Sequence, residues 1–115
     1  MTYVDGFVAA VPSANRDAYR RHAEMASAVF KEHGALSVVE CWGNDVPEGE
    51  VTSFSKAVQR KDDETVVFAW ITWASRSARD EGMKKAGEDA RLQNIEMPFD
   101  GKRALLGGFD VIVKA

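Results

Sequence analysis

Val66-Val67-Phe68-Ala69-Trp70-Ile71-Thr72-Trp73-Ala74 is a nine-residue run that is apolar on both parities and carries one tryptophan on each. Its β-branched and aromatic side chains read as a strand. Successive strand side chains point to opposite faces of a sheet, so Phe68, Trp70 and Thr72 share one face while Val67, Ala69, Ile71 and Trp73 share the other. Such a strand belongs in the middle of a sheet, with both faces covered. A chain of 115 residues has little left with which to cover both.

The neighbouring segments supply the rest of the sheet. Residues 3–11 are rich in valine and aromatics and read as a first strand, stopped by Pro12, which has no N–H to donate. Ser13 or Asn15 is placed to cap a helix with Asp17 in its first turn. Semi-apolar positions then recur at Tyr19, His22, Ala26, Val29, Phe30 and His33, and Gly34 stands just past the end. Residues 36–43 form a second strand, followed by a polar loop from Asn44 to Glu50. Residues 53–60 fit either a short helix or a ragged strand extension. The two-faced run, extended to residues 65–73, is the third strand. Ser75 or Ser77 caps a second helix reaching about Ala90, in which Gly82 and Gly87 would each cost about 1 kcal/mol relative to alanine. Residues 91–102 read as a loop punctuated by Pro98 and Asp100-Gly101, and residues 103–113 as a last strand holding Gly107-Gly108.

The order β-α-β-β-α-β is the ferredoxin-like α+β arrangement: one domain, residues 1–115, with a four-stranded antiparallel sheet and both helices on one face. The first and third strands are then central, and one face is bare. The expected assignment puts Val4, Val8 and Ala10, with Val67, Ala69, Ile71 and Trp73, beneath the helices. Phe7, Trp42, Phe68, Trp70 and Leu106 then lie on the open side. Burying such side chains is worth roughly 1.5–3 kcal/mol each, a strong drive to associate. The simplest cover is a second copy, which makes a homodimeric α+β barrel.

Composition narrows the function. A net charge of −3 and a pI near 5.4 argue against a nucleic-acid partner, which needs a concentrated basic surface. The basic pairs Arg20-Arg21, Arg60-Lys61, Lys84-Lys85 and Lys102-Arg103 are dispersed among acids. The single cysteine, Cys41, excludes an internal disulfide and a CxxC site. His22, His33 and Cys41 lack metal-ligand or haem spacing, and no GxGxxG or P-loop is present, so no cofactor is expected. The opening residues lack the features of a leader, and no apolar stretch is long enough to span a bilayer as a helix. These readings lead to the expectation of a cytoplasmic protein with no membrane partner.

The same parity gathers Asp5, Glu40, Thr72 and Asp110 on the open face. A carboxylate beside aromatic walls has a raised pKa and can serve as a general base, which makes Asp5 and Glu40 the candidate catalytic residues. Trp42, Phe68 and Trp70 are the candidate ligand-binding walls. Arg103, in the loop Met97-Pro98-Phe99-Asp100-Gly101-Lys102-Arg103, is the candidate anchor for an anionic ligand. That loop has a duller reading as well, a turn in which Phe99 anchors to the core.

Four stretches together resemble the YbaA-like family of bacterial proteins, which carries a domain of unknown function. They are Tyr3-Val4-Asp5-Gly6-Phe7, Phe30-Lys31-Glu32-His33-Gly34-Ala35, Val39-Glu40-Cys41-Trp42-Gly43, and Met97 to Arg103 leading to Gly107-Gly108-Phe109. Ala69 and Ala74 depart from the serine and proline commoner there. The resemblance implies the dimeric α+β barrel fold and supplies no catalytic residues. The expected function is a homodimer that binds a small apolar or aromatic molecule in the barrel, with cofactor-free oxygenase- or isomerase-like activity as an extension by analogy of fold. The alternative is a non-catalytic binding or interaction protein, and RNA binding is placed last.

Overall fold

The computed structural model describes residues 2–115. Strand β1 (Tyr3–Pro12) passes through a 3-10 turn, Ser13–Asn15, into helix α1 (Arg16–Glu32) and strand β2 (Ser37–Trp42). A short helix α2 (Phe54–Ala57) precedes β3 (Glu64–Trp73), helix α3 (Arg76–Glu88), a second 3-10 turn at Gly101–Arg103, and β4 (Leu105–Asp110). The sheet is antiparallel in the order β2-β3-β1-β4. This is the α+β arrangement expected, with β1 and β3 central and the two-faced run on β3. It differs by one helix, α2, in the segment left open between helix and strand.

Local chemistry accounts for most boundaries. Helix α1 ends in a Schellman motif, with the Ala35 N–H donating to the Phe30 carbonyl at 3.0 Å and the Gly34 N–H to Lys31 at 3.2 Å. Gly34 supplies the φ of +112° that this geometry needs. At the other end of α1 the expected cap is absent: the Asn15 side chain makes no cap bond and donates instead to the Pro98 carbonyl. Ser13 is bonded to Thr65 Oγ1 at 2.6 Å, because the intervening 3-10 turn carries the chain into the helix. Ser75 caps α3 by accepting from the Ala78 N–H, and Ser53 caps α2 by accepting from Lys56.

The pairing register settles which residues share a face, since cross-strand partners point the same way. Phe7 is opposite Ala69 and Val8 opposite Phe68; Glu40 is opposite Ala69 and Trp42 opposite Val67. The expected parity holds for β3 and is inverted for the other three strands. Phe7, Asp5, Glu40 and Trp42 face α1 and α3, as do Asp110 opposite Tyr3 and the exposed Leu106 opposite Phe7. Val4, Val8 and Ala10 turn to the other side. A register slip of one residue flips every side chain, and no tight hairpin joins these strands to pin the register from sequence. β1 is itself apolar on both parities, which removes the other clue.

Three buried clusters result. Ala9, Val11 and Val67 pack against Tyr19 and Ala23 of α1, with Phe7, Trp42 and Phe99 at the margin. Tyr3, Ala35 and Trp73 pack with Phe30 and Met83 at the far end of the same face. On the opposite face Val8, Ala10 and Val66 are covered by Val58 and Val46. The bare face is therefore only half bare: the segment between β2 and β3, with α2, roofs one end of it.

Candidate functional site: an open sheet face and a cleft beside the edge strand

The uncovered half of the open face is aromatic. Phe54 of α2 stands edge-on to Phe68 with centroids 6.0 Å apart, and Phe68 is 5.6 Å from Trp70. Phe54, Phe68, Leu105 and Phe109 are 51%, 42%, 43% and 61% exposed, well above what isolated core aromatics would tolerate. The Phe109 ring lies over Gly6 and Gly107, where added Cβ atoms would come within 3.3 Å and 3.2 Å of it. The glycine pair of the last strand thus serves close approach, on both faces. On the helix side, a Cβ at Gly108 would collide with the Tyr3 hydroxyl and the Arg79 guanidinium.

On the helix side a cleft of about 480 Å3 opens between α1 and the edge strand β2. Positions three, four and seven residues apart on α1, namely Arg16, Tyr19, Arg20, Ala23 and Ser27, line one wall, and Val38, Glu40 and Trp42 line the other. The Tyr19 hydroxyl donates to Glu40 Oε1 at 2.6 Å. Burial, then the hydrogen bond and charge of Glu40, raise the pKa of Tyr19 far above the normal phenol range. Burial also raises the Glu40 carboxyl, against the opposing pull of the Tyr19 hydrogen bond. Glu40 remains open to solvent along the cleft, so this shift is moderated by water. Tyr19 is also 6.3 Å from Trp42 and 5.9 Å from Phe99, centroid to centroid. The Arg16 guanidinium lies over Trp42, 5.6 Å from the ring centroid.

The candidate residues therefore divide. Phe68 and Trp70 are together on the open face; Glu40 and Trp42 are together in the cleft on the opposite side of the sheet. Asp5 joins neither. It accepts from Trp73 Nε1 at 2.9 Å through Oδ2, and its Oδ1 lies 3.1 Å from Arg79 Nε. Arg79 in turn donates to the Tyr3 hydroxyl at 3.1 Å and covers the Tyr3 ring. Both carboxylate oxygens of Asp5 are thus engaged beneath α3.

Arg103 is equally committed. It holds Glu64 through two bonds of 2.8 and 2.6 Å, Asp100 at 3.1 Å and the Gln59 carbonyl at 2.9 Å. Hydrogen bonding from Arg103 takes Glu64 down to about 2. The duller reading of the Met97 to Arg103 loop describes its geometry: Phe99 packs edge-on against Phe7 at 5.6 Å and Asp100 caps the turn by accepting from the Lys102 N–H. His33 bonds Asp89 at 3.0 Å and ties the ends of α1 and α3 together, and burial lowers the pKa of His22.

Tyr19, Arg16 and Arg79 carry these sites, and none was singled out from the sequence as a functional group. Tyr19 was read as a core position of α1, which it is; its hydroxyl partner depends on the inverted parity of β2. The usable signal was the alternation of arginines with Tyr19, Ala23 and Ser27 at helical spacing, a face too polar to be only core. Among the described residues no group of three or more histidine, cysteine or acidic side chains could hold a metal ion, and no helix is long and apolar enough to cross a membrane.

Residues 2–101 match the family described as "Protein of unknown function (DUF1428)". The chain is 50% identical over 98% of its length, and 98% of theirs, to the "Uncharacterized protein YbaA" of Escherichia coli K12 and to the protein of the same name in Shigella flexneri.

Proposed function

The chain belongs to the DUF1428 family of proteins of unknown function, and on that premise we propose that it acts as a homodimeric small-molecule-binding protein, with the open faces of two copies packed together. The observation that carries this reading is the row Phe54, Phe68 and the half-buried Trp70, continued by Phe109, with all three phenylalanines exposed on the one sheet face without long helices. An apolar surface of this kind on a chain that is 29% charged marks a place of association. The same face of a second copy is self-complementary, apolar against apolar, about a two-fold axis. A small apolar or aromatic molecule would be taken between the sheets.

Binding rather than catalysis is what this face supports. Its uncovered strand positions Val4, Val39, Thr72, Leu105 and Phe109 carry no carboxylate, since the register turns Asp5 and Glu40 away and Glu64, at the roofed end, is held by Arg103. The oxygenase or isomerase extension thereby loses its general base from the barrel interior. Sedimentation velocity at micromolar concentration tests the reading: a dimer is expected for the natural chain and a monomer for Phe68→Glu combined with Trp70→Glu. A monomeric natural chain would overturn it. Native mass spectrometry of the dimer separates the two uses of the face. Retained small-molecule mass supports binding between the sheets, and its absence together with solid aromatic packing leaves an interface only.

A further inference from the structure

The cleft between α1 and β2 carries both signs of charge: Arg16 and Arg20 against Glu24 and Glu40. Arg20 and Glu24 satisfy each other at 2.7 Å along the helix. Arg16 and Glu40 remain to face a ligand.

Arg16 is in no ion pair among the described residues and lies over the Trp42 ring, 5.6 Å from its centroid. A guanidinium held over an indole by cation–π attraction is not neutralised and keeps N–H donors available, and their fork fits a carboxylate in bidentate fashion. Trp42 thus orients Arg16 without neutralising it. Glu40 gives one oxygen to Tyr19 and keeps Oε2 without a protein hydrogen bond. The Tyr19 hydroxyl, itself fixed by a ring buried against Phe99 and Trp42, holds that carboxyl in place. Glu40 and Trp42, the strand residues beneath the two anchoring groups, are successive helix-facing positions of β2, with Cα atoms roughly 7 Å apart along the strand. Val38 precedes Glu40 on the same face of β2 and Ala23 follows Tyr19 by one helical turn, so these two continue the wall as an apolar end beyond Glu40.

We propose that this cleft binds a small organic acid carrying its own hydrogen-bond donor a few bonds from the carboxylate, an amino or hydroxy acid. The carboxylate sits on Arg16, the donor on the open oxygen of Glu40, and the carbon skeleton against Trp42 with its far end toward Ala23 and Val38. The site is complete within one chain and lies on the opposite side of the sheet from the apolar face, so it stands whether or not two copies associate there.

The test is an amide NMR titration of the intact chain with β-aminobutyrate, β-hydroxybutyrate and butyrate, which share a skeleton and differ in the donor. Saturable shifts are expected at Tyr19, Ala23, Val38, Glu40 and Trp42. Butyrate should bind about tenfold more weakly than at least one donor-bearing acid, the worth of one hydrogen bond to a charged group. If the aminobutyrate is preferred the ligand is an amino acid, and Glu40→Gln removes that preference. If the hydroxybutyrate is preferred it is a hydroxy acid, and Glu40→Gln, which keeps an acceptor, changes little. Arg16→Gln, at an exposed position that leaves the core intact, should weaken every acid that binds by about tenfold. The proposal is overturned if none of the three acids gives saturable shifts in the cleft. It is also overturned if butyrate binds as well as both donor-bearing acids, or if Arg16→Gln leaves the affinities unchanged.

Discussion

At Gly82 two energies of opposite sign compete. In an exposed helix, replacing glycine by alanine gains about 1 kcal/mol of helix propensity. Here an added Cβ would collide with the six-membered ring of Trp73 and stand 2.7 Å from the His33 carbonyl oxygen. Trp73 is fully buried and tied by its N–H to Asp5, so it cannot step aside, and overpacking of this kind costs about 1–3 kcal/mol. Gly82→Ala is therefore expected to lower stability, as read by urea denaturation; a gain would show that α3 shifts freely on the sheet. Glu40 presents a second competition. Its folded pKa lies above the ordinary 4.5, so its contribution to stability is complete below that value and is lost as pH rises through the folded pKa. Glu40→Gln keeps an acceptor for Tyr19 and removes the partly desolvated charge. It is expected to melt at a higher temperature than the natural chain at neutral pH, with the difference shrinking near pH 4.5. A difference independent of pH would show that burial does not raise this carboxyl.

At the scale of elements, the clamp of Arg103 on Glu64 joins the last loop to the start of β3 and to the segment after α2. Glu64 titrates at about 2 rather than 4.5, a depressed value, so its stabilising contribution is present above 4.5 and is lost as pH falls from there toward 2. Arg103→Gln should lower the melting temperature at neutral pH and flatten the fall in stability across that acid window. An unchanged acid profile would place the acid sensitivity elsewhere. Helix α2 is only four residues long and depends on its cap and on Val58. Ser53→Ala is expected to cost about 1 kcal/mol, and because α2 roofs Val8, Ala10 and Val66, hydrogen exchange should quicken at α2 and those positions before the rest of the sheet. The sequence left this segment undecided because a single turn of helix is too short for periodicity to register. What holds it is Val58 against β1 and β3.

The whole molecule presents two unlike surfaces on opposite sides of one sheet: an aromatic face whose strand carboxylate, Glu64, is buried at the roofed end against Arg103, and a charged cleft beside an edge strand. Covering the first is a matter of association. If two copies meet there, the intrinsic fluorescence of Trp70 should move to shorter wavelength with rising concentration in a Trp42→Phe background, Trp73 being buried throughout. Emission that does not change with concentration would place the partner elsewhere. The second surface is independent of concentration, which allows the two to be separated in one titration series.

The strand order, the central place of the Val66 to Ala74 run and the faces of β3 itself were legible in the sequence, because periodicity, Pro12, Gly34 and the Ser75 cap act over a few residues. So was the separation of Trp70 from Trp73. The relative parity of β1, β2 and β4 was not legible. It is fixed by registers between strands joined through helices and long loops, where a one-residue slip leaves each strand's local pattern intact and exchanges its faces. Tertiary pairing alone decided that Glu40 and Trp42 meet Tyr19 and Arg16 rather than Trp70, and that Asp5 and Arg103 are spent on Trp73, Arg79 and Glu64.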